Sequence, residues 1–331
     1  MYQVAASLLQ PFVGFQTDKK PMPYSLAIGM CFTLTGIGLL SYAGSYSMIL
    51  IAVGFVGIGS SIFHPEASRV AYLASGGKRG LAQSIFQVGG NSGTALGPLL
   101  VILIVIPYGQ SHVLWFLIAA LLAIFVLYRV AIWYQNHLNL RKQRKTSVHE
   151  QRPNLTKRQV KGSIFILLVL IFSKYIYMTS ISSYFTFYLI EKFHVSVPDS
   201  QFYLFLFFGA IAAGTLIGGP LGDKFGRKHI IWFSILGSAP FTLLMPYANL
   251  FWTGVLAILI GVILSSAFSA ILVYAQELMP GKVGMISGLF FGSYPIDCAG
   301  PSYLEGPQKA MGSKDGQTLV PTRLSHCNQS A

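Results

Sequence analysis

His64, Glu66 and Arg69 close one long uncharged stretch of the chain. Three to five residues apart, they share a face if the segment is helical. Such a group can pair internally, titrate, or reach a charge elsewhere. Glu66 and Arg69 read either as a local interfacial ion pair or as part of a latch. In the latch, Arg69 meets Asp18 across a loop and releases it when the molecule changes shape. His64 carries the side chain that titrates nearest neutral pH, and a packed histidine is its plainer reading. Glu277 closes a second uncharged stretch and reads as a proton carrier or as a helix-end charge. Lys174 stands between Ser173 and Tyr175, deep in an apolar segment. A charge there costs about 2.5–3.5 kcal/mol on insertion scales, so it must face protein or a wet cavity. It is a candidate for contacting an anion or for gating, with a structural ion pair as the alternative. Gln83, Gln87 and Asn91 recur every four residues, which aligns them on one helix face for lining a cavity or for bonding between helices. Tyr175 sits beside Lys174 and is a pathway candidate, although packing is the commoner role for such a ring.

A second kind of signal is a glycine–carboxylate segment that occurs twice. Gly219-Pro-Leu-Gly-Asp223-Lys224-Phe-Gly226-Arg227-Lys228 has an earlier counterpart in Gly14-Phe-Gln-Thr-Asp18-Lys19, at an offset of 205 residues. Ser60-Ser61-Ile-Phe63 and Ser265-Ser266-Ala-Phe268 repeat at the same offset, and Gly77-Lys-Arg-Gly80 pairs with Gly281-Lys-Val-Gly284 at 204. Glycine allows a tight turn or close backbone approach. A carboxylate can face a helix N-terminus. The first copy is degraded, with Pro21-Met22-Pro23 where Gly-Arg-Lys would stand. The segment is expected in a short turn between two helices.

The elements that must position these residues follow from charge patterning. Residues 21–65, 80–128 and 229–276 contain no Asp, Glu, Lys or Arg. A bilayer-spanning helix needs about 20 apolar residues, so each run holds two spans joined by a turn. Spans are expected at 24–43, 47–65, 84–106, 112–134, 163–190, 201–219, 229–246 and 251–275. The chain is 53% hydrophobic and 10% charged, against roughly 25% charged in soluble domains. Its net charge of +13 gathers in alternate connecting segments, and Lys192 is the exception in the other set. By the positive-inside rule the basic segments face the cytoplasm, so the charge reports topology and nucleic acid is not an expected partner. The basic stretch 141–161 reads as a cytoplasmic linker that can also touch anionic lipid. Cys31, Cys298 and Cys327 have no metal-ligand or disulfide-framework spacing. No phosphate-binding loop, nucleophile elbow or zinc-protease motif occurs. Neither a catalytic residue nor a metal is expected, and the chain does not read as an enzyme.

The glycine–carboxylate segment resembles the signature loop of the major facilitator superfamily. On that resemblance Gly14, Asp18, Lys19, Gly219, Asp223, Lys224, Gly226, Arg227 and Lys228 are the expected gating residues. Gly93-x-x-x-Gly97-Pro98 resembles part of the antiporter motif of drug exporters, without the glycine pair that should follow; small-residue packing is the alternative. The strings Ser7-Leu-Leu-Gln-Pro11, Phe63-His64-Pro65-Glu66, Gln83-Ser-Ile-Phe-Gln87, Phe172-Ser-Lys174-Tyr175 and Tyr274-Ala-Gln276-Glu277 are similar to the fosmidomycin-resistance branch of that superfamily.

The resemblance implies an all-α, multi-pass membrane bundle of two pseudo-repeats in the bacterial inner membrane. It implies export of small drugs by alternating access, with the proton gradient as energy source and no cofactor. The lipid bilayer, a small-molecule drug and protons are the implied partners, and the chain is expected to be a monomer. Of twelve spans, eight full and two partial ones are expected. The organisation is then an N-terminal half over 1–134, a linker over 135–161, a C-terminal half over 162–292 and an aberrant polar tail over 293–331. The tail reads as a shifted frame or a replaced terminus. The competing expectation is a truncated remnant that inserts but does not transport.

Overall fold

The computed structural model describes residues 2–100, 104–143 and 156–293, all within one compact unit, Met1–Ile296. The helices are α1 (Tyr2–Lys19), α2 (Ser25–Ser41), α3 (Tyr46–Ala74), α4 (Arg79–Leu100), the single turn α5 (Ile106–Tyr108), α6 (Trp115–Gln143), α7 (Lys157–Phe193), α8 (Val197–Phe225), α9 (Arg227–Leu236), α10 (Ser238–Leu244), α11 (Leu250–Leu278) and α12 (Val283–Gly292). Among the described residues there is no strand. In hydrocarbon every backbone polar group must be satisfied within the segment, and helices do this. Polar residues mark the starts: Ser45, Thr156, Ser196 and Asn249 each accept a hydrogen bond from the first turn of the helix they precede.

Among the described residues every expected span falls on helix, with corrections of extent at two of them. Six helical segments are long and apolar enough to cross a membrane, within Tyr46–Ala74, Gln110–Leu140, Lys157–Phe193, Asp199–Phe225, Arg227–Tyr247 and Leu250–Leu278. The spans expected at 24–43 and 84–106 are not among them. Ser25–Ser41 has only 17 residues, and α4 carries the polar row Gln83, Gln87, Asn91. The expected span 229–246 falls within Arg227–Tyr247, where Gly237 separates α9 from α10 but still bonds back to the Phe233 carbonyl. Positions 294–331 of the polar tail lie outside the described residues, as do positions 144–155 of the linker.

The helices are not equally buried. Helix α6 exposes Trp115, Ile118, Leu121, Leu122, Phe125 and Val126, the outward apolar face expected against lipid. Helix α11 is the most enclosed, with Ile260, Ala267, Ile271, Leu272 and Ala275 essentially inaccessible. Helix α2 packs on α3 and α6, while α11 packs on α7, α8, α9 and α12. Helices before the linker meet those after it along two main lines, α1 against α12 and α4 against α8. These lines are repeat-related, because α1 and α8 carry the two copies of the glycine–carboxylate segment.

Both copies lie mostly in helix rather than in a turn. Helix α1 runs through Asp18 to Lys19, and α8 runs through Asp223 to Phe225. The chain turns only at Gly226, with φ +90°, a backbone angle that favours glycine. Asp18 and Asp223 therefore stand on helical backbone.

Candidate functional site

The two aspartates do the same thing to opposite partners. Asp223 Oδ1 and Oδ2 accept hydrogen bonds from the amides of Gly80 (2.9 Å) and Leu81 (3.0 Å), in the first turn of α4. Asp18 Oδ1 and Oδ2 accept from the amides of Gly284 (2.9 Å) and Met285 (2.7 Å), in the first turn of α12. The first amides of a helix have no intrahelical acceptor, and the helix dipole favours a negative charge there. Lys282, at the N-cap of α12, makes no side-chain cap, so Asp18 supplies the cap from another helix. Each carboxylate thereby joins a helix before the linker to one after it.

Glycines make this approach possible at two points. A Cβ on Gly219 would strike the backbone of Gly80 and the hydroxyl of Ser84, and a Cβ on Gly14 would strike the backbone of Gly284. Gly219→Ala is therefore expected to force α4 and α8 apart at this end. Overpacking of this kind costs about 1–3 kcal/mol, enough to weaken the α4–α8 contact ~10-fold while the protein still inserts. Thiol labelling of a cysteine placed at Ser84 reads the opening directly. Unchanged labelling would show that the crossing carries no such constraint.

Around the aspartates the two copies diverge. Arg227 pairs with Asp223 (3.2 Å) and with Glu277, and Arg79 reaches the other Glu277 oxygen at 2.9 Å. Two carboxylates and two guanidinium groups thus balance across α4, α8, α9 and α11. In the first copy Met22 stands at the position corresponding to Arg227. Its place is taken from within α3 by Arg69, whose guanidinium bonds the Thr17 carbonyl, lies 3.7 Å from Asp18, and pairs with Glu66 at 2.7 Å. Ser25 donates to Glu66 at 3.2 Å. Here two buried carboxylates share one cation. Arg69 and Asp18, expected to meet across the loop, are 3.7 Å apart, and Arg69 also pairs with Glu66.

Next to the ion pairs lies a neutral layer. Ser68 donates to Gln83 (2.9 Å) and lies 3.0 Å from the Ser287 hydroxyl. Gln276 donates to both Ser68 (3.1 Å) and Ser287 (2.9 Å). Ser84 donates to Ser269 at 2.9 Å. All six side chains are buried, and they come from α3, α4, α11 and α12. Serine and glutamine are too common for sequence to single these out, apart from Gln83. The same holds for Arg79, which the repeat brought into view only as part of Gly77–Gly80.

The remaining candidates occupy different ground. Gln87 and Asn91 bond each other at 3.3 Å, further along α4. His64 Nδ1 lies 3.0 Å from the Ser60 carbonyl oxygen and 3.1 Å from the Ser60 hydroxyl, and its ring lies against Phe291. Lys174 donates to the Ser234 hydroxyl (2.5 Å) and to the Leu264 carbonyl (3.1 Å). No ion pair to Lys174 exists among the described residues, and the contacts tie α7 to α9 and α11. Tyr175 packs edge-on against Phe268. Lys19 and Lys224 extend over the rings of Phe15 and Phe225, and Lys228 over Tyr274, outside the ion-pair network. A Cβ on Gly93 would meet nothing within 4 Å, so Gly93 makes no close crossing among the described residues. Gly97 and Pro98 lie in the same helix, α4.

Comparison with known proteins gives a consistent result. Residues 1–296 match the Major Facilitator Superfamily. The chain is 61% identical over 293 residues to the fosmidomycin resistance protein of Escherichia coli K12, covering 88% of this chain and 71% of that one. It is 46% identical over 293 residues to YfnC, an uncharacterised transporter of the same superfamily from Bacillus subtilis 168, covering 87% and 71%. The crystal structure of the E. coli fucose:proton symporter superposes with a TM-score of 0.67 at 14% identity, covering 88% of this chain and 80% of that one, a likeness of fold.

Proposed function

The chain belongs to the major facilitator superfamily, and from that premise we propose that it is a proton-coupled exporter of small drugs, with fosmidomycin-like phosphonates as the substrate class. The observation that carries this is the pair of repeat-related carboxylate caps, Asp18 on α12 and Asp223 on α4. They form a reversible lock between two sets of helices. Secondary transporters built from repeats move by rocking one repeat against the other around a central site. Residues 1–134 and 162–292 are the two moving halves, and the linker 135–161 joins them on the cytoplasmic face of the bacterial inner membrane.

The basic end is the cytoplasmic end, and the structure is then closed toward the cytoplasm. Opening breaks the caps and the Arg79–Glu277 pair, which cross between the halves. It also separates Asp18 from the α12 amides, so that Asp18 and Glu66 share Arg69 without that support. The surplus carboxylate of this group is where the coupled proton binds. The protein works as a monomer, since each half supplies the other's partners. The phosphonate assignment rests on the 61%-identical relative, whose name carries the drug. Its substrate-facing groups are proposed to include Gln87, Asn91, Lys174 and Tyr175.

Drug tolerance in an exporter-deficient bacterium tests the function. Expression of this chain is expected to raise the inhibitory concentration of fosmidomycin several-fold over an empty vector. Absence of protection at verified membrane levels would remove the phosphonate assignment.

A further inference from the structure

A chain of aromatic rings crosses from one set of helices to the other, just beyond the neutral layer. Phe86 of α4 meets Phe291 of α12 edge-on at 5.9 Å, and His64 of α3 meets Phe291 at 5.4 Å. Phe63 joins Phe86 at 6.4 Å. Phe291 then meets Phe268 of α11 at 5.8 Å, and Phe268 meets Tyr175 of α7 at 5.7 Å. The rings thus link α3 and α4 to α7, α11 and α12 without a break. Along α12, Phe291 stands seven residues beyond Gly284, about 10 Å at the helical rise. Along α4, Phe86 stands six residues beyond Gly80, about 9 Å. The aromatic layer is therefore displaced from both caps by the same amount, and Gln87 and Asn91 come after it on α4.

We propose that these rings are the dry seal of the transport pathway and the floor of its central cavity, with Phe86 and Phe291 as its two leaves. The inference rests on the exporter reading. The ion-pair layer sets which side is open, but charged groups and hydroxyls conduct protons through hydrogen bonds. A coupled carrier also needs a layer that excludes water. The edge-to-face contact of Phe86 with Phe291 does this, because two phenyl rings bring no polar atom to it, and an ion crossing it loses its hydration. Among the described residues this is the one ring chain that joins α4 to α12. The other ring contacts among the described residues lie within single helices or between helices on the same side of the linker. His64 contributes its ring as part of the wall, held by its bond to Ser60.

The test is proton leak in liposomes containing the purified chain and a pH-sensitive dye, driven by a potassium gradient with valinomycin. The pair Phe86→Ala with Phe291→Ala is expected to raise leak about ten-fold, the change given by a barrier lowered ~1.4 kcal/mol. The pair Phe86→Leu with Phe291→Leu, which keeps an apolar filling, is expected to stay near the wild-type leak. Wild-type leak from the alanine pair, reconstituted in equal amount, would overturn the proposal, as would equal leak from the alanine and leucine pairs. If the alanine pair does not reconstitute, Phe86→Ser alone carries the test with the same two outcomes. Fosmidomycin counterflow by the wild-type chain is measured in the same vesicles. Its absence would remove the exporter reading, whereas the leak comparison concerns the seal alone.

Discussion

Asp223→Asn is expected to lower export about 100-fold while leaving the chain in the membrane. The carboxylate accepts from two amides at 2.9 and 3.0 Å and from Arg227 at 3.2 Å. Hydrogen bonds to a charged group contribute about 1.5–3 kcal/mol each. Asn keeps one acceptor oxygen, loses the charge that favours the helix start, and turns an NH2 group toward an amide that also donates. A loss near 2.7 kcal/mol moves the balance between closed and open forms by about 100-fold. A carrier that rarely closes at the basic end cannot complete its cycle. The check is the initial rate of drug efflux from loaded vesicles, together with thiol accessibility of a cysteine at Ser269. Wild-type efflux with unchanged accessibility would show that the cap does not hold the closed form.

Arg69→Ala is expected to have the larger structural effect. Arg69 is the cation shared by Asp18 and Glu66, and both carboxylates are nearly inaccessible. Removing one partner of a buried pair costs about 3–5 kcal/mol, because the remaining charge has no counter-ion. Two carboxylates are stranded here, so the variant is expected to unfold at a clearly lower temperature in detergent and to lose efflux. The diagnostic partner is Glu66→Gln. Combined with Arg69→Ala, it removes one stranded charge and is expected to recover much of the lost thermal stability. A double variant no more stable than Arg69→Ala alone would reject the charge account in favour of lost packing against Tyr134, whose ring lies beneath the guanidinium.

Much of this protein was legible without coordinates, for a reason particular to membranes. Hydrocarbon excludes charge and leaves helices as the economical way to satisfy a backbone, so the uncharged runs outline the spans. The offset of 205 residues pointed to the same pair of aspartates that now cap α12 and α4. Extent was less legible. Helix α3 continues past its apolar part to Ala74, carrying Glu66 and Arg69 on a rigid face, and α8 continues through Asp223. Nothing in local composition forbade a loop at either place; cross-helix partners decided it.

The sequence by itself determined the family, the helical spans, the repeat and which residues carry unusual charge. Only the tertiary structure decided who meets whom. Beyond the meeting of Arg69 with Asp18 that the sequence suggested, it joined Arg79 to Glu277 and gathered Ser68, Gln83, Gln276 and Ser287 into one buried layer. It also placed Lys174 among α7, α9 and α11 with neutral oxygens rather than a carboxylate. The physical reason is range. Hydropathy and helix periodicity are written in neighbouring residues, whereas a cap, an ion pair or a ring contact depends on two helices crossing at one height. That height is set by glycines such as Gly14 and Gly219, whose role is visible only once the facing backbone is in place.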